Sequence, residues 1–376
     1  MFFRDIKGHT QVKQSLVNML AENRVSHAYM FAGAEGSGKL PLAIAFAQYL
    51  NCISPVDGDS CGECSSCRKY SKLVHPDLHF VFPVVKMGKS QAPVVSDTFI
   101  SEWRSFNLNK KFFNLKQWLS HLNAEKAQGM IYTAESHEII KKLSLKTFEG
   151  KYKVMIIWLP EKMHLSASNK LLKILEEPPA GTVFILVSDK PDEVISTIVS
   201  RTQQIKIPAF ADEDIAQVLI EENGISSEEA KGFARLAKGN IVAAGEIVEG
   251  SEDLDFFFDN FVLLMRNAYT RNLQELITWG DEMSRLSREK QKSFFEYCLR
   301  LVRENYIYNL KEDEINYMTP REMEFSTKFA PFINDKNVYE MAEEFSLAHS
   351  HIAQNGNSRI IFMDLVLKII ILIKNR

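Results

Sequence analysis

Four cysteines in one short stretch are the residues of this chain best suited to bind a metal. They have the spacing C-x8-C-x2-C-x2-C and are Cys52, Cys61, Cys64 and Cys67. Two C-x2-C steps bring three thiolates around one point, and the first cysteine can supply the fourth ligand. Four thiolates complete the tetrahedral shell of a structural Zn²⁺ and leave no open position for catalysis. Free buried thiols, the alternative, rarely cluster in this way. The spacing therefore predicts a zinc module over residues 52–67, in which His75 is not needed as a ligand.

A glycine-rich loop precedes the cysteines and has the form of a phosphate-binding loop. Its glycines are Gly33, Gly36 and Gly38, and Lys39 follows them. Such a loop wraps backbone N–H groups around phosphates, and its lysine reaches the β- and γ-phosphate oxygens. A working NTPase supplies a Ser or Thr hydroxyl to Mg²⁺ at the next position, where this chain has Leu40. Binding of ATP or ADP without hydrolysis remains open.

The second half of a Mg²⁺ site is also missing. An acid, often followed by a glutamate that orients water, normally ends a neighbouring strand of such a fold. The strand predicted at Val154–Trp158 places Trp158 and Leu159 at these positions, and Glu161 is displaced by two residues and a proline. With both Mg²⁺ ligands absent, the sequence predicts that the chain does not hydrolyse nucleotide by itself.

The elements needed to position these residues alternate between strands and helices. A helix is predicted at 11–22, a strand at Ala28–Phe31 before the glycine loop, and a helix at Pro41–Leu50 after it. Further strands are predicted at 154–158, 183–187 and 204–207, with a helix at about Ser166–Glu177 capped by Ser166. This alternation predicts a parallel α/β sheet.

Two regions depart from that alternation. Residues of about 86–130 form an insertion that opens with a loop at Lys86–Pro93 and then places aromatic residues at helical spacing; we expect extra packing on the sheet. After Pro208 only helical periodicity is present. The predicted domains are 1–208 with the sheet, 209–250 with a small helical domain, and 251–376 with an all-helical domain.

Bulk properties set limits on the class of protein. The 376 residues are 45% hydrophobic and 25% charged, with a net charge of −3 and no basic aromatic stripe, which argues against a nucleic-acid-binding module. No signal peptide is recognisable, and the apolar run Ile360–Ile373, interrupted by Asp364 and Lys368, predicts a buried helix. We expect a cytosolic protein without a membrane partner, since clustered cytosolic thiols hold metal more often than disulfides.

The order of several segments resembles a known family. Ser26–Phe31 leads into the glycine loop, and His75–Leu78 follows the cysteines; Asn169–Pro179 and Ser200-Arg201-Thr202 come later. Together they closely resemble the bacterial clamp-loader subunits of the AAA+ class, the gamma/tau and delta-prime subunits of DNA polymerase III. The resemblance covers about residues 5–85 and 131–208. It implies an α/β P-loop AAA+ domain with an inserted zinc module, a small helical lid domain and a helical collar domain.

Departures from the family pattern distinguish its members. The motor subunits keep the Mg²⁺ ligands that are missing here, and they carry a sensor arginine where this chain has Val242. The arginine-finger motif survives around Arg201, with Thr202 in place of a cysteine. The resemblance therefore implies the non-catalytic, delta-prime type of subunit.

What the resemblance implies about function follows from Arg201. Its guanidinium would project into the ATP site of a neighbouring gamma/tau subunit, within a hetero-pentameric ring that also contains a delta subunit. The ring would load the sliding clamp onto primed DNA. Lys170 and Lys173 either face this DNA or belong to a solvated helix face. The alternatives are an autonomous AAA+ ATPase of the gamma/tau motor type and a zinc-containing nucleic-acid-binding module.

Overall fold

The computed structural model describes residues 1–86, 93–125, 127–311 and 316–374. Residues 87–92 of the predicted loop and residue 126 of the predicted insertion lie outside this part. The chain divides into two compact units, Met1–Glu222 with Ala237–Ala244, and Asn223–Leu236 with Gly245–Arg376. The three domains expected from the sequence, with boundaries at 208 and 250, stay a prediction.

The first unit contains a five-stranded parallel sheet. Its strands are β1 (Ala28–Ala32), β2 (Leu78–Val81), β3 (Lys153–Trp158), β4 (Thr182–Ser188) and β5 (Gln203–Lys206), in the order β2-β3-β4-β1-β5. Every residue of β3 and β4 is buried, as expected for parallel strands covered on both faces. The four predicted strands are confirmed to within one residue at each end, whereas β2 was not predicted.

Helices surround this sheet. In chain order they are α1 (Thr10–Ala21), α2 (Lys39–Leu50), α3 (Ser65–Tyr70), α4 (Ile100–Asn109), α5 (Leu115–His121), α6 (Glu135–Ser144), α7 (Leu165–Glu176), α8 (Ser196–Val199) and α9 (Asp212–Asn223). The predicted cap of α7 at Ser166 is wrong by two residues. The N-cap is His164, whose Nδ1 accepts a hydrogen bond of 3.3 Å from the backbone N–H of Ser166.

The insertion packs through its aromatic residues on the ends of β2 and β3. The Trp103 ring stacks on Phe82, with 4.1 Å between ring centroids and 8° between planes, and its centroid lies 5.2 Å from that of Trp158. Trp118 meets Trp103 edge-on and donates its Nε1–H to the Pro83 carbonyl oxygen at 2.9 Å. The expected extra packing on the sheet is therefore confirmed.

The remaining described elements are all helices. They are α10 (Ser227–Ala237), α11 (Ile241–Glu249), α12 (Ser251–Thr270), α13 (Leu273–Ser284), α14 (Arg288–Leu310), α15 (Pro320–Phe329), α16 (Val338–Ala353) and α17 (Ser358–Leu372). In the second unit they enclose a core rich in fully buried aromatic rings, among them Phe261, Phe294 and Phe362.

The C-terminal apolar run forms α17, as predicted, but only one face of the helix is buried. Phe362, Val366 and Ile369 are in the core, whereas Leu367 is 52% and Ile371 67% exposed. Within the described residues, no helix combines the length and the apolarity needed to span a bilayer.

Candidate functional site

The glycine loop joins β1 to α2, which is the strand–loop–helix context that a phosphate-binding loop requires. Gly36 and Gly38 have φ of +72° and +76°, a left-handed backbone that favours glycine. Gly33 is needed for a different reason, since a Cβ there would lie 2.2 Å from the carbonyl oxygen of Ile207. The loop therefore keeps its backbone shape although Leu40 is buried in place of a hydroxyl residue.

Lys39 is engaged by the protein itself. Its side chain is 3% exposed, and its Nζ lies 2.8 Å from the Asp189 carboxylate and 3.1 Å from the Ser37 hydroxyl oxygen. The same ammonium donates to the carbonyl oxygen of Ala34. Asp189 directly follows β4, so the end of a neighbouring strand supplies an anion where a bound nucleotide would place phosphate oxygens.

The residues at the expected Mg²⁺ positions offer no ligand to this cleft. Trp158 and Leu159 are apolar and buried. The nearby carboxylate of Glu161 accepts hydrogen bonds of 2.9 Å from both the Ser188 hydroxyl and the Asp189 backbone N–H, and a third from the Lys190 N–H at 3.2 Å. Glu161 therefore shapes the turn after β4.

A segment far along the chain closes over the loop. The Ile241 N–H donates to the Gly36 carbonyl oxygen at 3.2 Å, and a Cβ on Gly36 would lie 1.8 Å from Asn240 Oδ1. The Phe210 ring also lies close to Gly38, where an added Cβ would be 2.7 Å from its Cζ. Residues of the predicted lid thus pack directly on the phosphate-binding loop.

The insertion fills what is left of this cleft. Lys111, Phe112 and Phe113 line it together with Trp158 and Val242, and its volume is about 30 Å³. That volume holds about one water molecule, whereas small-molecule sites occupy roughly 300–1,000 Å³. In this conformation the cleft is therefore much smaller than a typical nucleotide-sized site.

The cysteine cluster has the geometry of a tetrahedral thiolate site. The four sulfur atoms all lie within 4.8 Å of one another. Cys61 Sγ is 3.6 Å from Cys52 Sγ and 3.9 Å from Cys67 Sγ. A tetrahedron with Zn–S bonds of about 2.3 Å has edges of about 3.8 Å, so the donor set fits Zn²⁺. His75 is not part of the cluster and lies buried beside Tyr70.

Backbone N–H groups point at the sulfur atoms. Those of Cys61, Cys64 and Cys67 donate to the sulfurs of Cys52, Cys61 and Cys64, respectively, over 3.3–3.4 Å. Hydrogen bonds from Ser54 and from the Cys64 backbone lower the pKa of Cys61 to about 6, whereas burial raises the pKa of Cys67. A structural Zn²⁺ at this site would be held by all four thiolates and would join the segment between α2 and α3 to α3 itself.

Arg201 lies at the surface just after α8 and is held by two contacts. Its Nη1–H donates to the Thr197 carbonyl oxygen at 3.0 Å, and its Nη2 lies 2.6 Å from Glu176 Oε1 at the end of α7. The Arg201 side chain is 35% exposed and that of Glu176 48%. An exposed pair of this kind contributes at most about 1 kcal/mol, so the guanidinium is free to exchange Glu176 for another anion.

The lysines of α7 occupy its exposed face. Lys170 Nζ lies 2.9 Å from His137 Nε2 on α6, and Lys173 is exposed. Sequence reasoning missed the residues that contact the glycine loop or line the cleft above it, namely Asp189, Asn240, Phe112 and Phe113. The aromatic content of the insertion was a sequence signal for Phe112 and Phe113, whereas Asp189 and Asn240 gave none, because their contacts join segments far apart in the chain.

Comparisons with known proteins support one family. The family model described as "DNA polymerase III, delta subunit" matches residues 8–211. DNA polymerase III subunit tau/gamma of Haemophilus influenzae is 28% identical over 244 residues, which are 64% of this chain and 29% of that protein. DNA polymerase III subunit delta' of Bacillus subtilis is 27% identical over 242 residues, which are 64% of this chain and 60% of that protein.

A third relative aligns along nearly the whole chain. DNA polymerase III subunit tau of Bacillus subtilis is 25% identical over 398 aligned positions, covering 98% of this chain and 61% of that protein. The chain thus spans less than two thirds of the length of each of these curated relatives.

Proposed function

Since the chain belongs to the DNA polymerase III, delta subunit family, we propose that it is a non-catalytic clamp-loader subunit of the delta-prime type. It carries no ATPase activity of its own and supplies Arg201 to the ATP site of a neighbouring subunit. Its place of action is the cytosol, in DNA replication, as an accessory subunit of the DNA polymerase III holoenzyme.

One observation carries this proposal: a phosphate-binding loop covered by other segments lies in the same unit as a partly exposed arginine. The cleft over the loop measures about 30 Å³, and the Lys39 ammonium pairs with Asp189. Arg201, in contrast, is held only by a surface carboxylate and one carbonyl oxygen. A small cleft over the loop together with an accessible cation supports a role in which the chain serves a nucleotide site elsewhere.

The proposed role of Arg201 is electrostatic. An arginine finger donates hydrogen bonds to a transferring γ-phosphoryl group and stabilises the charge that develops in the transition state. In the free chain, Glu176 holds the guanidinium near the surface. In the ring, the phosphate oxygens of the neighbour's ATP would replace this carboxylate as the anionic partner.

The proposed partners are the gamma/tau and delta subunits of a hetero-pentameric ring, and through it the sliding clamp and primed DNA. The second unit supports a collar role, because apolar side chains remain exposed on α13 and α17, among them Leu273, Ile277 and Ile371. The zinc module serves the fold of the first unit, since four thiolates leave no open coordination position.

The alternative is an autonomous motor of the gamma/tau type. The alignment with a tau subunit over 98% of the chain favours it. Against it stand the apolar residues Leu40, Trp158 and Leu159 at the Mg²⁺ positions and the small volume of the cleft.

A reconstitution experiment separates the two. The purified chain is mixed with a gamma/tau motor subunit, a delta subunit, the clamp and primed DNA, and co-purification and ATP hydrolysis are measured. We expect no Mg²⁺-dependent turnover by the chain alone and an increase in turnover when it completes the ring. Turnover by the chain alone would establish the motor function instead, and failure to join the ring would refute the subunit role.

A further inference from the structure

Cationic residues are concentrated in two segments of this acidic chain. Residues 68–72 and 141–153 contain eight lysines and arginines and one acidic residue, Glu149, although the net charge of the whole chain is −3. The cations are Arg68, Lys69, Lys72, Lys141, Lys142, Lys146, Lys151 and Lys153. About seventy residues separate the two segments, so the sequence alone shows no continuous basic stretch.

The fold brings the second segment against the start of β2. The buried Asp77 carboxylate accepts three backbone N–H hydrogen bonds of 2.7–2.9 Å, from Phe148, Glu149 and Gly150. Three backbone contacts fix the path of the loop over residues 148–150 without using any of its side chains.

Further contacts join this loop to α3. Asn51 donates to the Tyr70 hydroxyl oxygen at 2.8 Å and accepts a hydrogen bond from the Tyr152 N–H at 2.9 Å. Lys69 forms an ion pair with Glu149. The two cationic segments therefore lie side by side, and we call the exposed side chains of residues 68–72 and 145–152 the basic surface.

Half of the cations are not neutralised by the protein. Three have carboxylate partners: Lys69 with Glu149, Lys141 with Glu138, and Lys142 with Asp97. Lys153 is buried and donates to the carbonyl oxygen of Lys142 at 2.8 Å. Within the described part of the chain, the other four are exposed and form no ion pair: Arg68, Lys72, Lys146 and Lys151.

An aromatic ring stands among these charges. Phe148 is 80% exposed, and its backbone is fixed through Asp77. Lys146 precedes it by two residues and Lys151 follows it by three. A ring held out into solvent between cations is the combination that binds single strands, because bases stack on the ring while lysines contact phosphates.

We propose that the basic surface binds single-stranded nucleic acid, with a base stacked on Phe148 and phosphates paired with the surrounding cations. A single strand is favoured over a duplex because paired bases do not expose their faces to a protruding ring. The site goes beyond the proposed clamp-loader role and does not depend on it, since it uses neither Arg201 nor the phosphate-binding loop.

The test uses the full chain and fluorescein-labelled oligo(dT) of about 16 nucleotides, with binding followed by anisotropy at several salt concentrations. The double variant Lys146→Ala/Lys151→Ala should lower the slope of log K against log salt by about 1.4, because each lost phosphate contact removes about 0.7 for single strands. Lys206→Ala/Lys231→Ala removes the same charge from exposed positions elsewhere and should leave the slope unchanged.

Phe148→Ala tests the stacking contact. It should weaken binding about tenfold at every salt concentration and leave the slope unchanged, because it removes no charge. Tyr339→Ala is its matched control, since Tyr339 is also 80% exposed but belongs to the second unit. Thermal melting of each variant checks that the fold is intact, as expected for exposed side chains.

Three results would overturn the proposal. The first is absence of salt-dependent oligo(dT) binding at low salt. The second is affinity that falls in Lys170→Ala/Lys173→Ala but not in the variants of the basic surface, which would place the strand on α7. The third is equal binding of a hairpin duplex with no effect of Phe148→Ala, which would reduce the surface to a general contact with phosphates.

Discussion

The Lys39 ammonium lies 2.8 Å from the Asp189 carboxylate, so the lysine of the phosphate-binding loop is bound by the strand end beside it. The pair is largely buried, with side-chain exposures of 3% and 23%. In a working NTPase this lysine is held ready for phosphate. Here it joins the loop to β4, so we expect it to contribute to stability rather than to nucleotide affinity.

Replacement of Lys39 should therefore destabilise the first unit without changing any ATPase activity. Lys39→Met leaves Asp189 without its cation, and we expect a loss of about 2 kcal/mol in the free energy of unfolding, reduced from the value for a fully buried pair because Asp189 is partly exposed. Denaturant unfolding measures this loss. Adding Asp189→Leu to Lys39→Met should restore part of the lost free energy of unfolding. If the loss in the double variant equals the sum of the losses in the two single variants, Lys39 and Asp189 are not coupled.

Leu40→Thr alone should not create an ATPase. The hydroxyl returns, but Trp158 and Leu159 provide no carboxylate for Mg²⁺, and Phe112 and Phe113 still line a cleft of about 30 Å³. Steady-state hydrolysis and binding of a fluorescent ATP analogue check this. Mg²⁺-dependent turnover by the single variant would show that the metal ligands are elsewhere.

Arg201→Ala should lower the clamp- and DNA-stimulated ATP hydrolysis of the reconstituted ring while leaving ring assembly intact. A finger supplied in trans accounts for about 10³–10⁵ in rate in single-site NTPases, and the loss here is smaller because other sites in the ring keep their own fingers. Lys at position 201 should also fail, since it lacks the planar fork that spans two phosphate oxygens.

Glu176→Gln is the matched control for that experiment. It removes the charge that holds Arg201 in the free chain but keeps the guanidinium, so ring ATPase activity should remain close to that of the unmodified ring. Glu177→Gln makes the same substitution at the next position and controls for the loss of one negative charge in this place. An unmodified rate in Arg201→Ala rings would make Arg201 a surface residue without a catalytic role.

Cys64→Ser should remove the metal and lower the melting temperature of the first unit. One Zn²⁺ per chain is expected in the unmodified protein, because the sulfur spacing fits a tetrahedral ZnS₄ site. Metal analysis and thermal melting measure both effects. Cys298→Ser provides the control, since Cys298 is buried in the second unit and should not alter the zinc content.

Asp77→Asn should destabilise the protein at neutral pH and much less in acid. Burial alone would raise the pKa of Asp77, but the N–H groups of residues 148–150 outweigh it and hold the pKa below its usual range. Because the pKa is lower in the folded state, the ionised carboxylate stabilises the fold at every pH above the unfolded-state pKa, near 4. This stabilisation is lost as the pH falls through the folded-state pKa. We expect a loss of about 3 kcal/mol at pH 7. Denaturant unfolding of the unmodified protein and of Asp77→Asn at several pH values measures this loss. A loss that is the same at every pH would contradict the prediction.

Local patterns predicted most of the sheet. The apolar runs of β1, β3 and β4 stand out because parallel strands are buried on both faces. The run Leu78-His79-Phe80-Val81 is short and contains a histidine, so β2 is recognisable only by its pairing with β3. The cap of α7 was misplaced because a histidine side chain, rarely a cap, takes that role.

The candidate sites divide in the same way. The cysteine cluster depends on spacing within 16 residues and was predictable from it. The closure of the phosphate-binding loop was not, because Asp189, Asn240 and Phe112 reach it from three distant segments. The basic surface likewise requires the fold, since Asp77 brings residues 148–150 beside α3.

The aromatic contacts of Trp158 make the loss of the Mg²⁺ site hard to reverse one residue at a time. Its ring lies 5.2 Å from that of Trp103 and 5.3 Å from that of Phe113. An aspartate at 158 would leave a cavity between these rings and an unpaired carboxylate among them, at a cost of several kcal/mol before any metal could bind. A Mg²⁺ ligand at this position would therefore need the insertion, the strand end and the loop to change together, because the rings of all three meet at Trp158 or line the same cleft.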